Sequence, residues 1–136
     1  DTSDGVLARV DWALGPKADF AVVELGANDG LRGLDPAQTR ANLDAILTKL
    51  KAKGVPALFA GMYAPPNMGP DYGKAFNALY PELAKKHGVA FYPFFLDGVA
   101  ADPSLNQPDG IHPNAKGVDI IVDRILPHVL KLIGKE

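Results

Sequence analysis

From Ala18 onward, short apolar runs alternate three times with longer stretches of helical periodicity, and this alternation confines the chain to a small set of folds. The run Phe20-Ala21-Val22-Val23-Glu24-Leu25 is apolar at nearly every position, as suits a strand with helices over both faces of a parallel sheet. Parallel strands need long crossovers, and the helical stretches supply them, so the pattern reads as βαβ units.

The predicted strands are residues 20–25, 56–60 and 89–92. A first crossover helix opens at Asp35-Pro36, a cap residue followed by proline at the first helical position; Leu43, Ile46, Leu47 and Leu50 share one face, and Gly54 closes it. A second helix spans residues 71–86 with Phe76, Leu79, Tyr80 and Leu83 inward and Pro81 expected to distort it. Residues 94–99 read as a short helix. Residues 114–133 read as a long one presenting Val118, Ile121, Val122, Ile125 and Leu126, with a kink at Pro127. Ahead of the first strand, residues 4–14 form an amphipathic helix with Val6, Leu7, Val10 and Leu14 on one side. No repeat, linker or low-complexity segment interrupts the chain.

With 136 residues and 47% hydrophobic composition, the sequence fits one compact domain. Its 14 basic and 16 acidic side chains leave a net charge of −2 without a concentrated basic patch, which argues against nucleic acid as a partner. There is no cysteine, so disulfides, a thiol nucleophile and thiolate metal ligands are excluded. No apolar run approaches the roughly 18 residues of a transmembrane helix. Asp1-Thr2-Ser3-Asp4-Gly5 does not resemble a signal peptide, so either the protein is cytosolic or its true start lies upstream.

Two polar segments carry chemistry. In parallel sheets ligands bind beyond the carboxyl ends of the strands, where Gly26-Ala27-Asn28-Asp29-Gly30 follows the first strand. The Asn28 carboxamide can donate to a developing oxyanion, with Gly26 allowing close backbone approach. Taken alone, the same residues read more readily as a plain turn of the chain. Asp109-Gly110-Ile111-His112-Pro113 can bring a carboxylate to imidazole Nδ1 and leave Nε2 for a hydroxyl, although Asp-Gly as a turn and His112 as a helix cap would also explain it. His87, at a helix end, and His128, beside Pro127, are weaker candidates.

No nucleophile accompanies them. The chain has two serines and three threonines; Ser104 lacks a glycine-flanked elbow, Thr39 and Thr48 lie in a helix, and Thr2 and Ser3 are terminal. Gly26, Gly30 and Gly33 do not make a dinucleotide or P-loop fingerprint. Leu25 stands where a calcium loop needs an acid, and Asp109 with His112 would need ligands from Asp97, Asp102 or Asn114. No metal or cofactor is expected.

Residues 22–33, Val-Val-Glu-Leu-Gly-Ala-Asn-Asp-Gly-Leu-Arg-Gly, and Asp109-Gly110-Ile111-His112-Pro113-Asn114 together resemble the third and fifth blocks of the SGNH, or GDSL, hydrolases, in the bacterial thioesterase/lysophospholipase/arylesterase branch. Tyr80-Pro81-Glu82-Leu83-Ala84 and Tyr92-Pro93-Phe94-Phe95 support it, and the likeness spans nearly the whole chain. The resemblance implies a three-layer α/β/α, flavodoxin-like fold with a parallel sheet, of which residues 1–136 would be the C-terminal portion. It implies Asp109 and His112 as triad members and Asn28 as an oxyanion donor. Gly26, Gly30 and Leu31, with Met62, Tyr63, Ala64, Pro65, Pro66 and Met68, would lie around the substrate, an acyl ester or thioester. A periplasmic or secreted location is also implied.

Family members begin with a strand ending in Gly-Asp-Ser-Leu, whose serine attacks. Asp1-Thr2-Ser3 resembles only the tail of the second block, which makes Ser3 a bystander. By this comparison the nucleophile, one oxyanion donor and the first two of five strands belong to an N-terminal segment. The first strand's edge would be bare without that segment, so the polypeptide is expected to be stable only alongside it. The rival reading is a non-catalytic binding or structural module on the same scaffold; an upstream Gly-Asp-Ser-Leu would favour the esterase.

Overall fold

The computed structural model describes residues 1–135. In chain order the elements are α1 (Ser3–Leu14), β1 (Ala21–Glu24), α2 (Ala27–Leu31), α3 (Pro36–Ala52), β2 (Ala57–Ala60), a 3-10 turn (Pro66–Met68), α4 (Pro70–His87), β3 (Ala90–Tyr92) and α5 (Ala115–Leu132). The strands form one parallel sheet in the order β1-β2-β3, with Val22 opposite Leu58 and Leu58 opposite Ala90.

Strand alternation sorts the side chains into two cores. Val23, Ala57 and Phe59 pack with Val10 of α1, Leu43, Ile46, Leu47 and Leu50 of α3, and Phe76, Leu79, Tyr80 and Leu83 of α4. Leu58, Ala60 and Tyr92 face the other way, against Ile125, Val129 and Leu132 of α5. The molecule is thus a three-layer α/β/α structure, and every residue of the central strand β2 is buried.

The capping chemistry follows from the sequence. Thr2 Oγ1 accepts from Gly5 N ahead of α1, Asp35 Oδ1 accepts from Ala37 N ahead of α3, and Asn114 Oδ1 accepts from Gly117 N ahead of α5. Both α4 and α5 run unbroken through their prolines. Pro81 and Pro127 are exposed, so water can satisfy the carbonyl that each proline deprives of a partner.

Three expectations change. Residues 94–99 form successive turns, through Asp97 N to Phe94 O and Val99 N to Leu96 O, instead of a helix. The Gly26–Gly30 block enters a short helix, α2, instead of making a plain turn. On α5 only Ile121 of the anticipated face is fully buried; Val118, Val122 and Leu126 are 47%, 49% and 45% exposed. That helix packs on β2 and β3, and three strands cover only part of an apolar stripe this wide. β1 pairs with β2 alone among the described residues, and Val22 is exposed beside its free edge.

The crossovers bear on which end of the sheet carries the two polar segments. Leu132, at the end of α5, lines a hollow with Pro56, Ala57 and Ala90, which stand at the starts of β2 and β3. α5 has 18 residues, and an α-helix rises about 1.5 Å per residue. Its first turn, just after His112-Pro113-Asn114, therefore stands toward the strands' carboxyl end, the end from which β1 leads into Asn28.

Candidate active site

The oxyanion candidate is positioned by a buried carboxylate. Asp29, 1% exposed, accepts hydrogen bonds from Ser3 N at 2.8 Å, Ser3 Oγ at 2.5 Å and Thr39 Oγ1 at 2.8 Å. Asn42 Nδ2 donates to Ser3 Oγ at 3.0 Å, and Gln38 Nε2 donates to Asn42 Oδ1 at 3.0 Å. The network ties the start of α1 and the first two turns of α3 to the single turn of α2. Ser3, though near the terminus, is fully buried, and its hydroxyl is occupied as a donor to Asp29 within this cluster.

The backbone entering α2 is fixed from the other side by Tyr80, whose hydroxyl donates to Leu25 O at 2.8 Å. Burial pushes that phenol strongly upward in pKa, keeping it a neutral donor. Gly26 has φ 107°, and a Cβ there would meet the Tyr80 hydroxyl at 1.9 Å. Only glycine fits; the space its missing side chain leaves is filled by Tyr80, not by an open cleft.

Asn28 is half-buried and donates from Nδ2 to Asp1 O at 2.9 Å. A carboxamide nitrogen has two N–H groups, so this bond orients the group and leaves one donor for another acceptor.

Asp109 and His112 meet directly. Asp109 Oδ2 lies 2.6 Å from His112 Nδ1, while Asp109 Oδ1 accepts from the Ile111 and His112 amides at 2.9 and 3.0 Å. The His112 ring first, then the two amides, holds the Asp109 carboxyl down at about 2 from the ordinary 3.8. The imidazole is 68% exposed, and its Nε2 makes no hydrogen bond among the described residues. An Asp/His pair in this geometry can take a proton from a hydroxyl. Ser104 is not that hydroxyl: it donates to Asp102 Oδ1 at 2.7 Å. Asn28 and the pair both lie toward the carboxyl end of the sheet, and no hydrogen bond joins them among the described residues.

The loop after β2 divides. Met62 is buried in the main core at 5% exposure. Tyr63 is exposed and stacks on Phe94 with ring centres 4.3 Å apart. Ala64, whose amide donates to Asn77 Oδ1, and Pro65 are half-buried. Pro65 lies against buried Gly30, and Met68 against Gly33, while Leu31 is exposed. His87 pairs with Asp44 at 2.6 Å, and His128 packs on the Tyr92 ring at 4.9 Å. Among the described residues no acidic or histidine cluster could hold a metal ion.

Sequence reasoning did not single out Asp29 or Tyr80 as site-building residues. The available signal was adjacency: Asp29 follows Asn28, and Tyr80 stands in a stretch already marked by its resemblance.

Residues 1–120 match the model of the GDSL-like lipase/acylhydrolase family. The chain is 40% identical to the Pseudomonas aeruginosa protein named esterase TesA, over 98% of its own length and 67% of the relative's. It is 39% identical to the Escherichia coli protein named thioesterase 1/protease 1/lysophospholipase L1, over 100% of its own length and 66% of the relative's. The chain thus spans about two thirds of these relatives. A crystal structure of TesA superposes with a TM-score of 0.90 at 41% identity, covering 97% of this chain and 74% of that one. The psychrotrophic esterase EstA from Pseudoalteromonas sp., inhibited by monoethylphosphonate, gives 0.92 at 32% identity, covering 98% and 74%.

Replacing Asp29 by alanine strands the donors of Ser3 and Thr39, each at a cost of about 1–3 kcal/mol. Asp29→Ala is therefore expected to lower the urea midpoint by the equivalent of about 3 kcal/mol or more, with Asn28 losing its fixed bond to Asp1. In acid, the Asp109 carboxyl carbon followed by NMR should titrate with a midpoint near 2, not 3.8. Because its folded pKa is depressed, the stabilisation it lends the loop is full above about pH 4 and is lost as pH falls through 2. His112→Ala should move that midpoint back up.

Proposed function

The chain belongs to the GDSL-like lipase/acylhydrolase family, and from that membership we propose that it is the C-terminal portion of a serine ester hydrolase whose nucleophile lies on an N-terminal segment. The observation that carries this reading is the 2.6 Å bond between Asp109 and His112 Nδ1, with Nε2 left facing outward.

In the proposed reaction His112 Nε2 removes the proton from the upstream serine hydroxyl as its oxygen attacks the acyl carbonyl carbon. The carbonyl electrons move to oxygen, and the spare N–H of Asn28, with two backbone amides, stabilises the resulting oxyanion. Asp109 keeps the imidazole in the tautomer that accepts at Nε2 and stabilises the imidazolium. When the intermediate collapses, His112 returns the proton to the departing alkoxide or thiolate, leaving an acyl-serine. Water then repeats the cycle, with His112 as base, and releases the carboxylic acid. All proton transfers run through one ring nitrogen, and no metal or organic cofactor enters the scheme.

Substrates of the class are acyl esters and thioesters. Leu31, Tyr63, Ala64 and Pro65 are the best-placed residues to contact the acyl or alcohol part, since they stay partly or fully open at the carboxyl end of the sheet. Gly26 and Gly30 act by letting neighbouring side chains close in. No described helix is long and apolar enough to cross a membrane.

The test uses the full-length gene product with p-nitrophenyl butyrate. His112→Ala should lower kcat by about 10³-fold or more, because it removes the base that acts in both half-reactions. Asn28→Ala should lose about 10²-fold, the usual cost of one oxyanion donor. Unchanged turnover in His112→Ala would remove it from the reaction.

A further inference from the structure

The segment that carries Asp109 and His112 lies between β3 and α5 and has neither helix nor extended strand to stiffen it. Its rigidity has to come from somewhere, and Asn106 supplies the centre of it. Asn106 is 8% exposed, and its Nδ2 donates to both Val99 O and Asp102 O at 2.8 Å. Both amide hydrogens of a buried polar group are thereby satisfied at one location.

Those two carbonyls bracket Ala101. With φ 64°, Ala101 is the single non-glycine residue among those described that has a positive φ. Left-handed backbone is disfavoured for alanine because its Cβ crowds the following carbonyl, so such a turn persists only where its surroundings enforce it. Val99 is itself fully buried, and its side chain lies against Gly117 at the start of α5, where a Cβ would also meet Leu105 O at 2.2 Å.

The other side of Asn106 faces the reacting pair. Its backbone forms an antiparallel bridge with Pro113, and the next residue, Gln107, donates from N to His112 O at 2.7 Å. Asn114 Nδ2 binds Ser104 O at 2.9 Å and reaches Asn106 O at 3.4 Å, linking the hairpin to the cap of α5. The side chain that clasps the left-handed turn thus belongs to a residue one peptide away from the bond that fixes the histidine backbone.

We propose that Asn106 is a positioning residue for the hydrolysis: its carboxamide holds the Ala101 turn left-handed and so sets the register in which the hairpin presents His112 to the acyl group. This rests on His112 being the base. Without the clasp, Ala101 relaxes to negative φ, the hairpin shifts, and only a fraction of molecules present the imidazole correctly. Turnover falls with that fraction while substrate binding, made by other elements, does not.

In the full-length protein, Asn106→Leu preserves approximate volume but removes the donors. The expected result with p-nitrophenyl butyrate is a fall in kcat of about tenfold or more, with KM within about twofold of the parent. Ala101→Gly added to that variant should restore a large part of the lost kcat, because glycine adopts positive φ without enforcement, while Ala101→Gly alone leaves kcat near the parent value. If Asn106→Leu does not fold, Ala101→Val decides the matter: this exposed residue should fold normally yet lose kcat, since a β-branched side chain resists positive φ more strongly. Parent-like kcat in Asn106→Leu or in Ala101→Val overturns the inference, as does a loss that Ala101→Gly leaves unrescued. A His112→Ala control with undiminished turnover would overturn the reading beneath it. Abolished turnover there, beside parent-like kcat in the Asn106 and Ala101 variants, would overturn the positioning role alone.

Discussion

A carboxylate shut away from solvent must be surrounded by donors, and Asp29 draws its donors from two separate helices. Ser3 brings the start of α1, Thr39 brings α3, and Asp29 itself stands in the single turn of α2. A five-residue helix has little stability of its own, so α2 persists because this network and the Tyr80 bond to Leu25 O hold both of its flanks. Asn28 inherits its position from those contacts. Its bond to Asp1 O exists because Ser3 pins the chain beside it.

The second half of the site is built differently. Asp109 and His112 lie on an exposed hairpin, and the forces on them are local: two backbone amides and an imidazole converge on one carboxylate. Asn28 is fixed by buried polar contacts to the helical layer, whereas the Asp/His pair is fixed by the turn at Ala101, the Asn106 clasp and the cap of α5. What relates the halves is the parallel sheet. All three strands point the same way, α5 returns across the opposite face, and the two polar segments emerge at one end.

Much of this was legible in the chain. Alternating apolar runs and capped helices were readable because parallel strands and crossover helices leave periodic signatures, and the Asp35-Pro36 start and Gly54 stop of α3 fall within a residue or two of the structure. Asp109 and His112 were readable because their bond is local in sequence. The Asp29 network was not, since its partners lie 26 and 10 residues away and no periodicity announces a buried acid. That Met62 turns into the core was not legible, because a polar, proline-rich loop gives no sign of which residue points inward. The apolar face of α5 was overestimated for a related reason: a stripe of Val, Ile and Leu says that something can be covered, not how many strands are present to cover it.

The central claim is that Asn28 and His112 stand on either side of one acyl carbon bound to a serine from outside residues 1–136. A crystal structure of the full-length protein inactivated with a p-nitrophenyl alkylphosphonate tests it in a single observation. The account predicts phosphorus on a serine upstream of Asp1, a phosphonyl oxygen about 3 Å from Asn28 Nδ2, and His112 Nε2 on the side of the serine oxygen. Phosphorus on Ser3 or Ser104, or an adduct reached by only one of the two side chains, would contradict it.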